Sequence, residues 1–324
     1  MCIRDRYYQD LLPTVVERLS NSGMLENSEG ADVVFPGGWK NRDGEPLPMI
    51  IRKADGGFNY STSDLACIID RVERLECDQF LYVVGTPQKQ HFEMVFQVAR
   101  KAGFMDDGHS SIHVNFGSVL DTDGRVLKSR EGEVIKLHDL LSEAVIRANS
   151  AIEEKNPELI GEQRNNVASM VGIGAVKYAD LSTERTKDYV FEWEKMLSFE
   201  GNTAPYLQYA HARICSIFRK WAGERSNIPD FEISCCEPEE SNLARRLVRF
   251  PSALDETIST FSPHKLCTHL HSVASAFASF YEACQVLGSG DEAVEKSRLA
   301  LCDLTAKQLE LGLGLLGIGV PEKM

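Results

Sequence analysis

At 324 residues, with 43% hydrophobic and 26% charged residues, the chain is long enough for two cores and has the composition of an ordinary soluble protein. No stretch approaches the ~20 uninterrupted apolar residues of a membrane span; the glycine-rich segment from Leu309 to Val320 is too short, and Glu310 interrupts it. A net charge of −13 argues against a broad electrostatic grip on nucleic acid, so any RNA partner must be met by Lys and Arg gathered on one face.

Residues 7–105 read as alternating helix and strand. Leu11, Val15, Val16 and Leu19 lie at helical spacing, Ala31 to Phe35 is a strand, and Pro36 to Pro48 is rich in turns. Met49 to Arg52 reads as a short buried strand. Leu65, Ile68, Ile69, Val72 and Leu75 form one helical stripe, and Gln79 to Val84 is a run of β-formers. A second amphipathic helix starts near Gln90, turns Phe92, Val95, Phe96 and Ala99 inward and is capped by Gly103. Strand, helix, strand and helix in that order predict a parallel sheet with crossover helices.

Residues 111–127 read as strands joined at the turn sequence Asp121-Thr122-Asp123-Gly124. A charged loop follows from Lys128 to Glu133, then a helix from about Leu137. Beyond it no strand is expected. Amphipathic segments dominate, at roughly 162–181, 203–222, 240–261, 264–287 and 291–316, punctuated by Pro263 and Gly288-Ser289-Gly290. The cysteines at 2, 67, 77, 215, 235, 236, 267, 284 and 302 include no Cys-x-x-Cys pair, which argues against zinc and for reduced thiols.

Four stretches carry residues suited to chemistry. Gly57-Phe58-Asn59-Tyr60-Ser61-Thr62-Ser63-Asp64-Leu65-Ala66 sets a phenol and a carboxylate four residues apart, on one face if the helix has begun by Tyr60. A carboxylate can meet a flat guanidinium with two parallel charge-assisted hydrogen bonds. The same stretch also reads as a capping box, Ser61-x-x-Asp64, with Asp64 favoured by the helix dipole. Tyr82 to Phe92 runs from a strand into a polar loop containing Gln88 and His91. Ligands of open parallel sheets bind at such strand ends, and a merely solvated loop is the plainer alternative. Val119 to Gly132 carries Lys128-Ser129-Arg130 soon after a turn. Farther on, Tyr206, Tyr209 and Arg213 recur at i, i+3 and i+7. Rings and guanidinium planes of this kind suit unstacked bases, and they equally suit the packing of a helical bundle.

In this order the stretches resemble the bacterial-type arginyl-tRNA synthetases, a class I family, from about Tyr7 to Met324. The match is closest in Val171-Gly172-Ile173-Gly174-Ala175-Val176-Lys177-Tyr178-Ala179-Asp180-Leu181-Ser182, in Phe199 to Arg213, and in the ending Val320-Pro321-Glu322-Lys323-Met324. The resemblance implies an α/β fold: a partial Rossmann-like nucleotide-binding catalytic domain over 1–147, then an all-α helical-bundle anticodon-binding domain over 148–324. It implies that Tyr60, Asp64 and Gln88 bind arginine and that His91 lies close to the adenylate. Lys128, Ser129 and Arg130 look like a degenerate Lys-Met-Ser-Lys-Ser loop, which brings cations and a hydroxyl to the ATP phosphates. Tyr206, Tyr209, Arg213 and Met324 would face the tRNA.

The implied function is arginine–tRNA ligation. L-arginine is activated with ATP, accompanied by Mg2+, and passed to tRNA(Arg) by a cytoplasmic monomer with no structural metal and no membrane contact. The family's His-Ile-Gly-His-type run does not occur here, and His269-Leu270-His271 is no substitute, because rings at i, i+2 of a helix diverge. The chain is therefore expected to be a C-terminal portion, inactive alone in arginine activation, with Met1 to Arg6 a non-native scar. Two alternatives stand. A related class I enzyme such as a cysteinyl one would need zinc-ligand cysteines near the pocket, where only Cys67 and Cys77 lie. A non-catalytic helical module would bind tRNA or another protein.

Overall fold

The computed structural model describes residues 7–126, 136–223 and 225–324. The chain divides into two compact units, Met1–Phe116 and Gly117–Met324. The division expected at 147/148 falls inside a helix of the second unit, Leu137–Lys155.

In the first unit, α1 (Leu12–Asn21) buries Leu12, Val15 and Leu19 on one face. Strands β1 (Glu26–Ser28) and β2 (Ala31–Val34) form a hairpin whose two loop residues, Glu29 and Gly30, both have positive φ, +51° and +81°. Such a turn follows the natural twist of the strands, and glycine adopts the left-handed geometry at no steric cost. Strand β3 (Met49–Arg52) pairs antiparallel with β2 and not in a parallel sheet as expected. Met49 and Ile51 are buried while Ile50 is 38% exposed, so the apolar run conceals a strand with one wet face.

Helix α2 (Tyr60–Glu73) follows, then β4 (Gln79–Gly85), α3 (Lys89–Lys101) and β5 (Ser110–Phe116). Strands β4 and β5 are parallel, in register from Gln79 with Ser110 to Gly85 with Phe116, and α3 is their crossover. Phe80 and Tyr82 face the core formed by α1, β3, α2 and α3, whereas Leu81 and Val83 on the other face are 44% and 67% exposed.

The second unit is mainly helical, with one departure from the all-α expectation. The two-residue strand β7 (Tyr189–Val190) pairs parallel with β6 (Val119–Leu120). A strand of two residues is too short to leave a period in the sequence. Helices α4 (Leu137–Lys155) and α5 (Gly161–Ser182) approach so closely that a Cβ on Gly172 would lie 2.6 Å from the Ala144 carbonyl oxygen. A single turn, α6 (Trp193–Met196), precedes α7 (Ala204–Lys220), whose N-cap Thr203 accepts from the Tyr206 N–H. The segment expected as one helix over 240–261 is two, α8 (Pro238–Leu247) and α9 (Phe250–Thr260). Pro251 lacks the N–H that a continuous helix would use, but it fits the first turn of a new one. Helices α10 (Pro263–Ala283) and α11 (Glu292–Leu315) close the bundle around Leu207, Ile214, Leu243, Leu270, Phe277 and Leu309.

Candidate functional site

Each unit presents one site. In the first, Asn59 takes the N-cap of α2, its side chain accepting from the Tyr60 N–H at 2.8 Å. The helix thus begins at Tyr60, and Ser61 is its second residue and not its cap. The capping-box alternative for Ser61 and Asp64 is set aside. Asp64 lies one turn after Tyr60, its residue only 1% exposed. The Thr62 hydroxyl donates to the Ile51 carbonyl and ties this turn to β3.

The partner for the carboxylate comes from α3. His91, in its first turn, sets Nε2 2.7 Å from Asp64 Oδ2. A carboxylate this far from water requires a cation or strong donors. Tyr60, 66% exposed, is one turn before Asp64, and Gln88, also exposed, occupies the N-cap position of α3, three residues before His91. The structure therefore joins Asp64 to His91 and leaves Tyr60 and Gln88 at the adjoining helix starts. Nearby, the Arg71 guanidinium lies 4.7 Å over the Tyr82 ring, and burial pushes the Tyr82 phenol well above its usual range. Sequence reasoning passed over Arg71, although Asp64, Cys67 and Arg71 share one face at i, i+3 and i+7. Lys128, Ser129 and Arg130 lie outside the described residues.

The second site is a cleft of about 710 Å3 in the helical unit, lined by Tyr209, Arg213, Arg219, Tyr281, Lys323 and Met324 among others. Arg213 donates to the Tyr209 hydroxyl at 2.9 Å, and its guanidinium stands 4.7 Å from the Tyr209 ring and 5.2 Å from that of Tyr281. Spacing of four keeps Tyr209 and Arg213 together. Tyr206 is half-buried, packs towards the core with its ring 5.7 Å from His271, and does not line the cleft.

The end of the chain forms one wall of this cleft, strapped down by side chains. Lys177 donates to the Gly317 carbonyl (2.5 Å), Gln208 to Gly319 (2.7 Å) and Arg219 to Glu322 (2.9 Å). His211 Nδ1 lies 3.2 Å from the Pro321 carbonyl, and Asn156 donates to that of Met324 at 3.2 Å. Tyr281, Arg219 and Lys323 were not singled out from sequence. Tyr281 comes from α10 and has no spacing relation to Tyr209 that could reveal it. Among the described residues no group of three or more His, Cys, Asp or Glu could hold a metal ion, and no helix is long and apolar enough to cross a membrane.

Comparison with known proteins places the chain in a family. Residues 3–193 match the model of tRNA synthetases class I (R), catalytic domain, and residues 207–324 match the DALR anticodon binding domain. The arginine–tRNA ligases of Cellvibrio japonicus and Psychromonas ingrahamii are 49% and 48% identical over 99% and 98% of this chain. The chain spans about half the length of these relatives, 55% and 54%. The solved arginyl-tRNA synthetase of Plasmodium falciparum superposes with a TM-score of 0.83 at 30% identity, over 98% of this chain and 53% of its own. That of Thermus thermophilus gives 0.83 at 26% identity, over 97% and 58%. With a class I catalytic model over residues 3–193 and an anticodon-binding model over residues 207–324, the chain belongs to the arginyl-tRNA synthetase family of class I.

Proposed function

We propose that these residues supply the arginine pocket and the tRNA-reading face of an arginine–tRNA ligase. Such an enzyme activates L-arginine with ATP, Mg2+ accompanying the nucleotide, and transfers the amino acid to tRNA(Arg). The activity belongs to a polypeptide in which the present residues are joined to the remaining length of the relatives. Catalysis is assigned to the region of the catalytic match, 3–193, and tRNA reading to 207–324, in place of the division expected at 147/148, in a cytoplasmic monomer.

The observation that carries the reading is the buried Asp64, set at the start of a helix beside His91. A carboxylate withdrawn from water discriminates a planar five-donor guanidinium from neutral isosteres, because an analogue without charge leaves it poorly satisfied. Tyr60, exposed at the start of α2, is assigned with Asp64 to the substrate side chain, and Gln88, exposed at the start of α3, to the amino acid. Lys128, Ser129 and Arg130 are assigned to the ATP phosphates. The exposed face of β4, with Leu81 and Val83, offers apolar surface of the kind parallel strands normally cover.

In the second unit Tyr209, Arg213 and Met324 line one cleft suited to an unstacked base, and Tyr206 supports them from within the bundle. The cations Arg213, Arg219 and Lys323 gathered there answer the requirement set by the net charge of −13. Two measurements test the proposal. Arginine should bind to the polypeptide carrying this pocket and citrulline should not, as read by calorimetry; equal binding of the two would refute the role of Asp64. Binding of tRNA(Arg) should weaken linearly on a log–log plot against salt. Its absence from a folded chain would refute the second assignment.

A further inference from the structure

Among the described residues only two cysteines are exposed, and they are neighbours in the chain, Cys235 and Cys236. The backbone that carries them is held from both sides by side chains of other elements. The Ser234 N–H donates to the Ser297 hydroxyl at 2.9 Å, and that hydroxyl donates back to the Ser234 carbonyl at 3.0 Å. The Cys236 N–H donates to Glu240 Oε2 at 2.7 Å, and Glu240 is itself fixed by Arg298. None of these bonds uses a sulfur. Two exposed thiols thus project from a segment ordered in advance by α8 and α11, which lowers the entropic cost of engaging both at once.

Three features narrow what can engage them. The Cα atoms of successive residues joined by a trans peptide lie about 3.8 Å apart, short of the roughly 4.4–6.8 Å that disulfides usually span, so a direct S–S bond fits poorly. Among the described residues no group of three or more His, Cys, Asp or Glu could hold a metal ion, so nothing extends the pair to a full cation site. Burial, and then the Glu240 carboxylate, push the Cys235 thiol upward and keep it protonated at ordinary pH, whereas metal cations take thiolates. The fitting partner is an electrophile that needs two sulfurs, accepts them as thiols and places an atom between them.

We propose that Cys235 and Cys236 form a chelating site for a monosubstituted trivalent arsenical, R–As(OH)2. Two As–O bonds break and two As–S bonds form. The two hydroxides leave with the two thiol protons as two molecules of water, the As–R bond stays, and nothing is oxidised or reduced. The arsenic atom inserted between the sulfurs widens the ring that an S–S bond would close too tightly. The site uses no residue of the arginine pocket or of the cleft at Tyr209, and it stands apart from both readings.

The test is intact-mass spectrometry of the folded 324-residue chain with phenylarsonous acid, in excess glutathione, which strips adducts held by one sulfur. One phenylarsenic group should be retained per chain, with loss of two waters, and digestion should place it on Cys235 and Cys236. Cys235→Ser and Cys236→Ser should each weaken capture by roughly 100- to 10,000-fold, the factor gained when the second of two linked contacts becomes intramolecular. Cys77→Ser, at a partly exposed thiol, should leave it unchanged. Diamide, which oxidises thiols, should produce no disulfide between the two in the folded chain. No retained adduct, an adduct on another thiol, or one that survives either serine substitution at 235 or 236 overturns the site. A Cys235–Cys236 disulfide formed by diamide overturns the spacing argument that selects the arsenical.

Discussion

The two candidate sites are built in opposite ways. In the first unit a single carboxylate, Asp64, is taken out of water and held by His91. In the second, rings and cations stand around an open cleft, with Tyr209 at 39% and Tyr281 at 40% exposure. Burial makes one interaction strong and selective, since an unmatched charge has no water to fall back on. Exposure makes each contact weak and adaptable, which suits bases that arrive unstacked and on a charged, flexible strand. One site should depend on one atom group, the other on many.

The largest expected effect probes that contrast directly. Asp64→Asn should weaken arginine binding by about 3–5 kcal/mol, the cost of removing one member of a buried charge pair, with little dependence on salt. An arginine affinity within twofold of the parent, measured by calorimetry, would end the buried-charge account.

A loss of similar size is expected inside the helical unit, and it tests whether burial or location decides. Glu240 is 1% exposed and accepts from Arg298 Nε at 2.6 Å and from the N–H groups of Cys236 and Glu237. Burial alone would raise its carboxyl, but the Arg298 guanidinium and the two backbone donors outweigh it and hold it below the usual range. A lowered folded-state pKa contributes stability above the unfolded value, lost as pH falls through the folded one. Arg298→Ala should cost about 3–5 kcal/mol at neutral pH by denaturant titration. Glu240→Gln should flatten the acid limb of the stability curve below pH ~4.3. An unchanged acid limb would show that this pair is solvated and not desolvated.

Tyr209→Ala should cost about 1–3 kcal/mol in RNA binding, as for one stacked base, and leave stability nearly intact. Tyr206→Ala should do the reverse, losing stability through the core it packs against. Equal effects of the two on RNA binding would place Tyr206 back at the cleft. The smallest change expected is Lys323→Ala, an exposed cation on the cleft rim, worth a few tenths of a kcal/mol and vanishing at high salt.

Local features were legible from sequence where they repeat along one element. The stripe Leu65, Ile68, Ile69 marks α2, and Tyr209 with Arg213 marks the wet face of α7. What stayed hidden is what meets across elements. His91 and Asp64 are 27 residues apart, and only the fold sets them 2.7 Å from each other. Tyr281 reaches Arg213 from another helix. That Ser61 and Asp64 form no capping box depends on Asn59, which takes the N-cap two positions ahead of Ser61. Strand β3 was misplaced because three apolar residues in a row look the same whether one face is wet or neither is.

The strapped ending has a consequence for the order in which the molecule forms. The carbonyls of Glu322 and Met324 are held by Arg219 and Asn156, residues 103 and 168 positions earlier in the chain. Contacts that close loops of this length carry a large entropic cost and form late, once the helices that offer the donors are in place. The wall of the cleft proposed for RNA is then among the last surfaces completed, and refolding followed by RNA capture should lag behind refolding followed by helix content.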